Sequence, residues 1–171
     1  MMRRLVGSEM CIRDSIINHA ENRLIFLETV FAPLLEALQD NCPTVEKYIL
    51  LCSKEEMPET KLKNVISYEE FIEDGDESYS WPELDEDAPC GLCYTSGTTG
   101  NPKGVLYSHK STLLHTWAGS SANGLGLDKD DSILMVVPMF HVMGWGLPYI
   151  GAMNGIKLSL IHISEPTRRL I

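Results

Sequence analysis

The sequence predicts an α/β domain built on a parallel sheet. Two short apolar runs rich in strand formers, Arg23–Leu27 and Tyr48–Cys52, flank a segment with helical spacing. Strand, helix, strand at that separation reads as a βαβ unit. Hydrophobic content of 44% over 171 residues is ordinary for a globular chain, and the length suits one domain or part of a larger one. No apolar run approaches the roughly 20 residues that span a bilayer.

Taken in order, the first helix begins near Pro33, with Phe31, Leu34, Leu35 and Leu38 on one side. Asn41-Cys42-Pro43-Thr44 breaks it. After the strand Tyr48–Cys52, a charged, proline-bearing segment, Lys54–Lys63, leads to Val65-Ile66, and Tyr68–Asp74 reads as a short helix. Ten acidic residues lie between Glu69 and Asp87, which reads as a solvated connector in which Trp81 packs locally. Leu92–Tyr94 ends a strand and Val105–Tyr107 forms the next. Lys110–Ala122 reads as a helix with Leu113, Leu114 and Trp117 on one side, stopped at Asn123-Gly124. Ile133–Val137 is a strand ending at Pro138. A helix through Ile150 and Met153 follows, and Gly155-Ile156-Lys157 begins a last strand.

The two ends are expected to be foreign to the rest. One set of codons for Glu9–Ser15 is GAG ATG TGT ATA AGA GAC AG; its reverse complement, in frame, encodes Leu-Ser-Leu-Ile-His-Ile-Ser, which is Leu158–Ser164. That is the pattern of a translated sequencing adapter, so residues 1–15 and 158–171 are set aside and 16–157 is taken as the natural fragment. The formal charge is −10. Three arginines against two acids at one end, and two against one at the other, leave −12 for the middle. Such a balance argues against nucleic acid or a membrane surface as partner. Four cysteines remain in the middle, Cys42, Cys52, Cys90 and Cys93, a usage that fits a reduced, cytoplasmic protein. Cys90-Gly-Leu-Cys93 has redox or zinc spacing, but a zinc site takes about four ligands, and the pair reads as part of a buried strand.

The chemistry gathers in Tyr94–Ser111. Thr95–Asn101 are all hydroxyl, glycine or amide residues, and Lys103 follows. Glycines let successive N–H groups turn into a concave anion site, hydroxyls donate to it, and a lysine adds charge suited to phosphate. A Walker A loop needs G-x-x-x-x-G-K-[ST]. Pro102 and Gly104 break that pattern, which speaks against a P-loop kinase or NTPase. Tyr94–Val105 instead resembles the signature [Y/F]-[T/S]-S-G-[S/T]-T-G-x-P-K-G-V of the adenylate-forming superfamily, and meets it at every position. The resemblance covers nearly all of 16–157. Asn18-His19-Ala20-Glu21 and Trp81-Pro82-Glu83-Leu84-Asp85-Glu86 are similar to medium- and long-chain fatty acyl-CoA synthetases. It implies a partial, parallel-sheet N-terminal domain of the adenylate-forming fold.

The same resemblance implies an ATP-dependent carboxylate–CoA ligase with ATP, Mg2+ and coenzyme A as cofactors and a fatty acid as substrate. Thr95, Ser96, Gly97, Thr98, Thr99 and Gly100 would hold the β- and γ-phosphates, Lys103 would supply charge, and Thr95 would also reach Mg2+. Val137-Pro138-Met139-Phe140-His141 matches the family's P-x-F-H segment, so His141 would place the reacting carboxylate. Trp145 would gate the acyl tunnel. Asn is usual where Met143 stands, and Ala where Gly144 stands. His109 is read as capping or orienting, and His115 as structural. The family's magnesium glutamate, ribose aspartate and catalytic lysine belong to later segments, so the fragment by itself is expected to be inactive. A methylthiopropionate-type acid and a non-catalytic phosphate-binding fragment remain alternatives; oligomeric state is open.

Overall fold

The computed structural model describes residues 13–95, 102–139 and 141–160, with Val142 described by its backbone alone. The chain divides into two compact units, Met1–Pro82 with Tyr94–Lys103, and Glu83–Cys93 with Gly104–Ile171.

The first unit holds α1 (residues 13–19), β1 (Leu24–Leu27), α2 (Ala32–Leu38), β2 (Lys47–Leu50), β3 (Val65–Ser67) and α3 (Tyr68–Ile72). The strands form a parallel sheet in the order β1-β2-β3, with Leu24 opposite Lys47 and Tyr48 opposite Val65. The expected βαβ unit is therefore present. Pro33 sits in the first turn of α2, where its missing N–H costs nothing. The buried stripe is Ala32, Leu35 and Leu38, with Leu34 half-buried against the core; of the expected stripe only Phe31 falls outside it, its place taken by Ala32. Phe31 precedes the helix in a short 3-10 turn and stays 51% exposed. Leu27, Ala32, Leu35, Tyr48, Leu50 and Leu62 make the core. β2 stops at Leu50, not Cys52. The amide of Cys52 turns back onto the Leu50 carbonyl, and Leu51 points outward.

Two local devices fix this unit. α1 ends in a Schellman arrangement: Asn22 N–H donates to Ile17 O and Glu21 N–H to Asn18 O, with Glu21 left-handed at φ 51°. The last turn of α2 grips the charged connector. Glu36 accepts from Thr60 Oγ1 and Lys61 N–H, both at 2.7 Å, and Gln39 bonds Lys61 O and Lys63 N–H. All ten acidic residues between Glu69 and Asp87 are exposed. Trp81, 86% exposed, packs only edge-on against Tyr79.

β4 (Pro89–Thr95) pairs with β5 (Lys103–Ser108). β4 is not the buried strand expected from its composition: Pro89, Cys90 and Leu92 are exposed. A two-stranded ribbon has too little cover to bury its faces. Cys42, Cys52, Cys90 and Cys93 are all free thiols.

In the second unit, α4 (His109–Ser120) precedes β6 (Ser132–Met135), α5 (Leu147–Asn154) and β7 (Lys157–Leu160). β6 and β7 pair in parallel, Ser132 opposite Lys157 and Met135 opposite Leu160. β7 thus runs three residues past Lys157, and the described part of α1 includes three residues ahead of Ile16. The apolar stripe expected on α4 is not its packed face. Leu113, Leu114 and Trp117 are 59%, 51% and 69% exposed, whereas Thr116 is 2% exposed. α4 meets α5 through small residues instead: a Cβ on Gly119 would lie 2.7 Å from Ile150 Cδ1. Such contact lets the two backbones approach and sends the bulky side chains of α4 elsewhere. α5 stops at Gly155, which is left-handed. Among the described residues, no helix is long and apolar enough to cross a membrane.

Candidate active site

Thr95 is the last residue of β4 and Lys103 the first of β5, and both are exposed. They stand at the two ends of the hydroxyl- and glycine-rich run. Ser96, Gly97, Thr98, Thr99 and Gly100 lie outside the described residues.

Beyond β5 the chain enters α4 through a capping box. The Ser108 hydroxyl accepts from Ser111 N–H at 3.1 Å, and Ser111 Oγ accepts from Ser108 N–H at 3.0 Å. The cap is thus Ser108, not His109. The His109 backbone instead donates to Ala88 O at 3.1 Å, and Lys110 pairs with Glu86. The exposed end of the acidic connector is in this way tied to the start of α4.

His141 opens a 3-10 stretch, His141–Gly146, and its N–H donates to Pro138 O at 3.0 Å. The side chain is exposed. The next residues turn the other way. Met143, Gly144, Trp145 and Gly146 have φ of 47°, 60°, 56° and 76°. Four consecutive left-handed residues are costly for side chains with a β-carbon, about 1–2 kcal/mol each, and the two glycines relieve half of the turn. Both departures from the family pattern fall here. Gly144 suits φ 60° better than Ala would. Met143 takes a conformation that Asn adopts more readily.

This turn walls one side of an apolar cleft of about 380 Å³. Met143, Trp145, Gly146 and Tyr149 face Tyr107 from β5 and Ser111, Thr112 and His115 from α4. His115 Nε2 lies 3.4 Å from the Trp145 carbonyl, a long contact. A Cβ on Gly146 would come within 2.8 Å of the His115 ring. Tyr149 Oη reaches Met143 Sδ at 4.0 Å. Of the described residues proposed from sequence, Trp145 lines this cleft; His141 lies four residues earlier in the same stretch. His115, expected to be structural, is part of the wall. Its signal was present in the sequence. Ser111, Thr112 and His115 recur at helical spacing, but they form a polar stripe, and the helix was read by its apolar one.

Among the described residues, no three His, Cys, Asp or Glu side chains gather as a metal site. A hydroxyl such as that of Thr95 could serve Mg2+ as one oxygen ligand beside phosphate oxygens.

The comparison of sequences makes the class specific. The chain belongs to the family of AMP-binding enzymes, whose profile matches residues 13–170. It is 46% identical over 140 residues to 3-methylmercaptopropionyl-CoA ligase of Ruegeria pomeroyi, covering 82% of this chain and 26% of that protein. It is also 46% identical over 145 residues to the medium-chain-fatty-acid–CoA ligase of Ectopseudomonas oleovorans, covering 85% of this chain and 27% of the relative. The chain thus spans about a quarter of the length of these relatives. In fold it is similar to anthranilate CoA ligase AuaEII in complex with anthranoyl-AMP, at a TM-score of 0.73 and 21% identity over 91% of this chain and 29% of the other. The N-terminal domain of FACL13 from Mycobacterium tuberculosis is similar too, at 0.70 and 23% over 89% and 35%.

Proposed function

We propose that the chain is the phosphate-gripping part of an AMP-forming carboxylate–CoA ligase acting on a fatty acid. In the first step a carboxylate oxygen attacks the α-phosphorus of ATP. The bond to the bridging oxygen breaks, and pyrophosphate leaves with the electron pair. In the second step the coenzyme A sulfur attacks the acyl carbon and displaces AMP. Charge builds on the departing pyrophosphate, so fixed donors around it accelerate the first step. Thr95, Ser96, Gly97, Thr98, Thr99 and Gly100 supply N–H and hydroxyl donors, and Lys103 supplies a positive charge. Thr95 would hold Mg2+ in part, and the ion would offset phosphate charge there. His141 places the carboxylate, and the apolar cleft beside Trp145 takes the tail.

The observation that carries this reading is the coexistence, in one chain of the AMP-binding family, of that run with a cleft whose lining is mostly apolar. A second acid, a short thioether carboxylate, is supported by the equal identity to the two ligases just named. An acyl panel on the enzyme carrying the remaining family segments separates them.

The test of the site is kinetic. In that longer enzyme, Lys103→Ala slows adenylation by about 100-fold, the scale of losing one charge-stabilising donor. Thioester formation from supplied acyl-adenylate changes far less. Equal loss in both half-reactions overturns the assignment. The 171-residue chain by itself catalyses no ATP–pyrophosphate exchange; detecting exchange would overturn that part.

A further inference from the structure

We propose that Tyr149 is a specificity-determining residue that holds the acid to short and medium tails, by closing the cleft beside Trp145 off from a second apolar cleft; the proposal rests on the reading of the first cleft as the seat of the tail. The second cleft has a volume of about 430 Å³, and Cys90 from β4, Leu113 from α4 and Met153 from α5 are among its lining residues. Two residues, Thr112 and Tyr149, line both clefts. Their side chains are therefore the wall between the two.

The wall is built from opposite sides. The Tyr149 hydroxyl reaches toward Met143 in the first cleft, whereas the Thr112 hydroxyl lies 3.3 Å from Cys90 Sγ in the second. β4 runs past both: a Cβ on Gly91 would stand 3.0 Å from Met143 Sδ, and Cys90 is the residue before it. All of these residues belong to one compact unit. The wall is also anchored. Thr116, 2% exposed, donates from Oγ1 to Thr112 O at 2.7 Å, and Ile150, the neighbour of Tyr149, is 1% exposed. The first cleft by itself is at the low end of the roughly 300–1,000 Å³ of small-molecule pockets; joined to the second it would be about twice as large. A tail that fills the first cleft meets the Tyr149 ring, and further methylenes turn back to water and gain nothing. Each methylene that instead entered the second cleft would tighten binding about four-fold.

Two methionines report on the two sides of the wall, Met143 in the first cleft and Met153 in the second. The experiment is an NMR titration of the 171-residue chain, labelled with 13C at the methionine methyls, with octanoate, decanoate and dodecanoate below their micelle concentrations. In the unvaried chain all three acids shift the Met143 methyl and leave Met153 in place, and affinity rises less than about two-fold from octanoate to dodecanoate. Tyr149→Ala opens the wall at a residue that is 43% exposed, so the core loses little. Dodecanoate then shifts Met153 as well and binds more than about ten-fold tighter than octanoate. Thr112→Ala, which favours helix in α4, opens the wall from the other side and gives a smaller change in the same direction. A Met153 methyl that already responds in the unvaried chain, or that stays silent in both variants, overturns the partition while leaving the first cleft as the seat of the tail. A Met143 methyl that responds to no acid, or shifts only together with Met57 in the other unit, overturns the reading of the first cleft, and the partition with it.

Discussion

At the scale of single residues, the cleft depends on positions where a β-carbon has no room. Gly146 combines φ 76° with a neighbouring His115 ring 2.8 Å from where its Cβ would be. Gly146→Ala must therefore strain the backbone and push the ring. The expected cost is about 1–3 kcal/mol, read as a lower thermal midpoint, with altered Trp145 emission in a chain whose other two tryptophans are replaced by phenylalanine. A second residue-scale prediction concerns acid. Hydrogen bonding from the Lys61 amide first, and from Thr60, holds the Glu36 carboxylate below its usual pKa. A carboxylate with a depressed folded pKa contributes stability above its unfolded pKa and loses it as pH falls through the folded value. Acid unfolding should thus weaken the grip on the charged connector. Glu36→Gln should flatten the stability profile below the ordinary carboxylate range, and an unchanged profile would refute the assignment. Neither feature could be read from sequence. Glu36 is one acid among twenty-four Asp and Glu residues, and a glycine in a loop gives no sign of what stands opposite it.

At the scale of elements, capping decides where α4 begins. Removing the Ser108 hydroxyl leaves an orphan amide at the helix start, so Ser108→Ala should cost about 1 kcal/mol. Faster hydrogen exchange at Ser111 N–H, the donor to that hydroxyl, reports it. The sequence made β1, α2, β2, α3, β4, β5, α4, β6, α5 and β7 legible as elements, because strand formers and helix-period apolar residues are local signals. It misplaced the buried face of α4 for one reason. Periodicity says that a face exists, whereas the neighbour decides which face is used. On α4 the neighbour is α5, which presents Ile150 against Gly119. The most apolar stripe, Leu113, Leu114 and Trp117, is left exposed. β4 misled in another way. Its composition is that of a buried strand, but the ribbon it forms with β5 offers it no cover.

At the scale of the whole molecule, the parallel sheet β1-β2-β3 and its core are the most strongly specified part. Leu50 is fully buried on the central strand. Leu50→Ala should cost about 3 kcal/mol, read as accelerated amide exchange across β1 and β3. The family was legible because Tyr94–Val105 is an ordered signature rather than a composition. The cleft was only half legible. Trp145 follows the His141 segment in one recognisable string, but its opposite wall comes from α4, thirty residues away, and no local pattern announces which residues will face each other.

The left-handed turn from Met143 to Gly146 also bears on how such a protein can change. Two of its four positions resist every side chain, so substitutions there fail before they can alter ligand choice. Drift in the shape of the cleft is then channelled through Met143, Trp145 and Tyr149, and through Tyr107, Ser111, Thr112 and His115 across from them. If the cleft takes the acid as proposed, a lineage adapting to a new one would explore a narrow set of positions, and a library directed at those seven would sample most of what selection can reach.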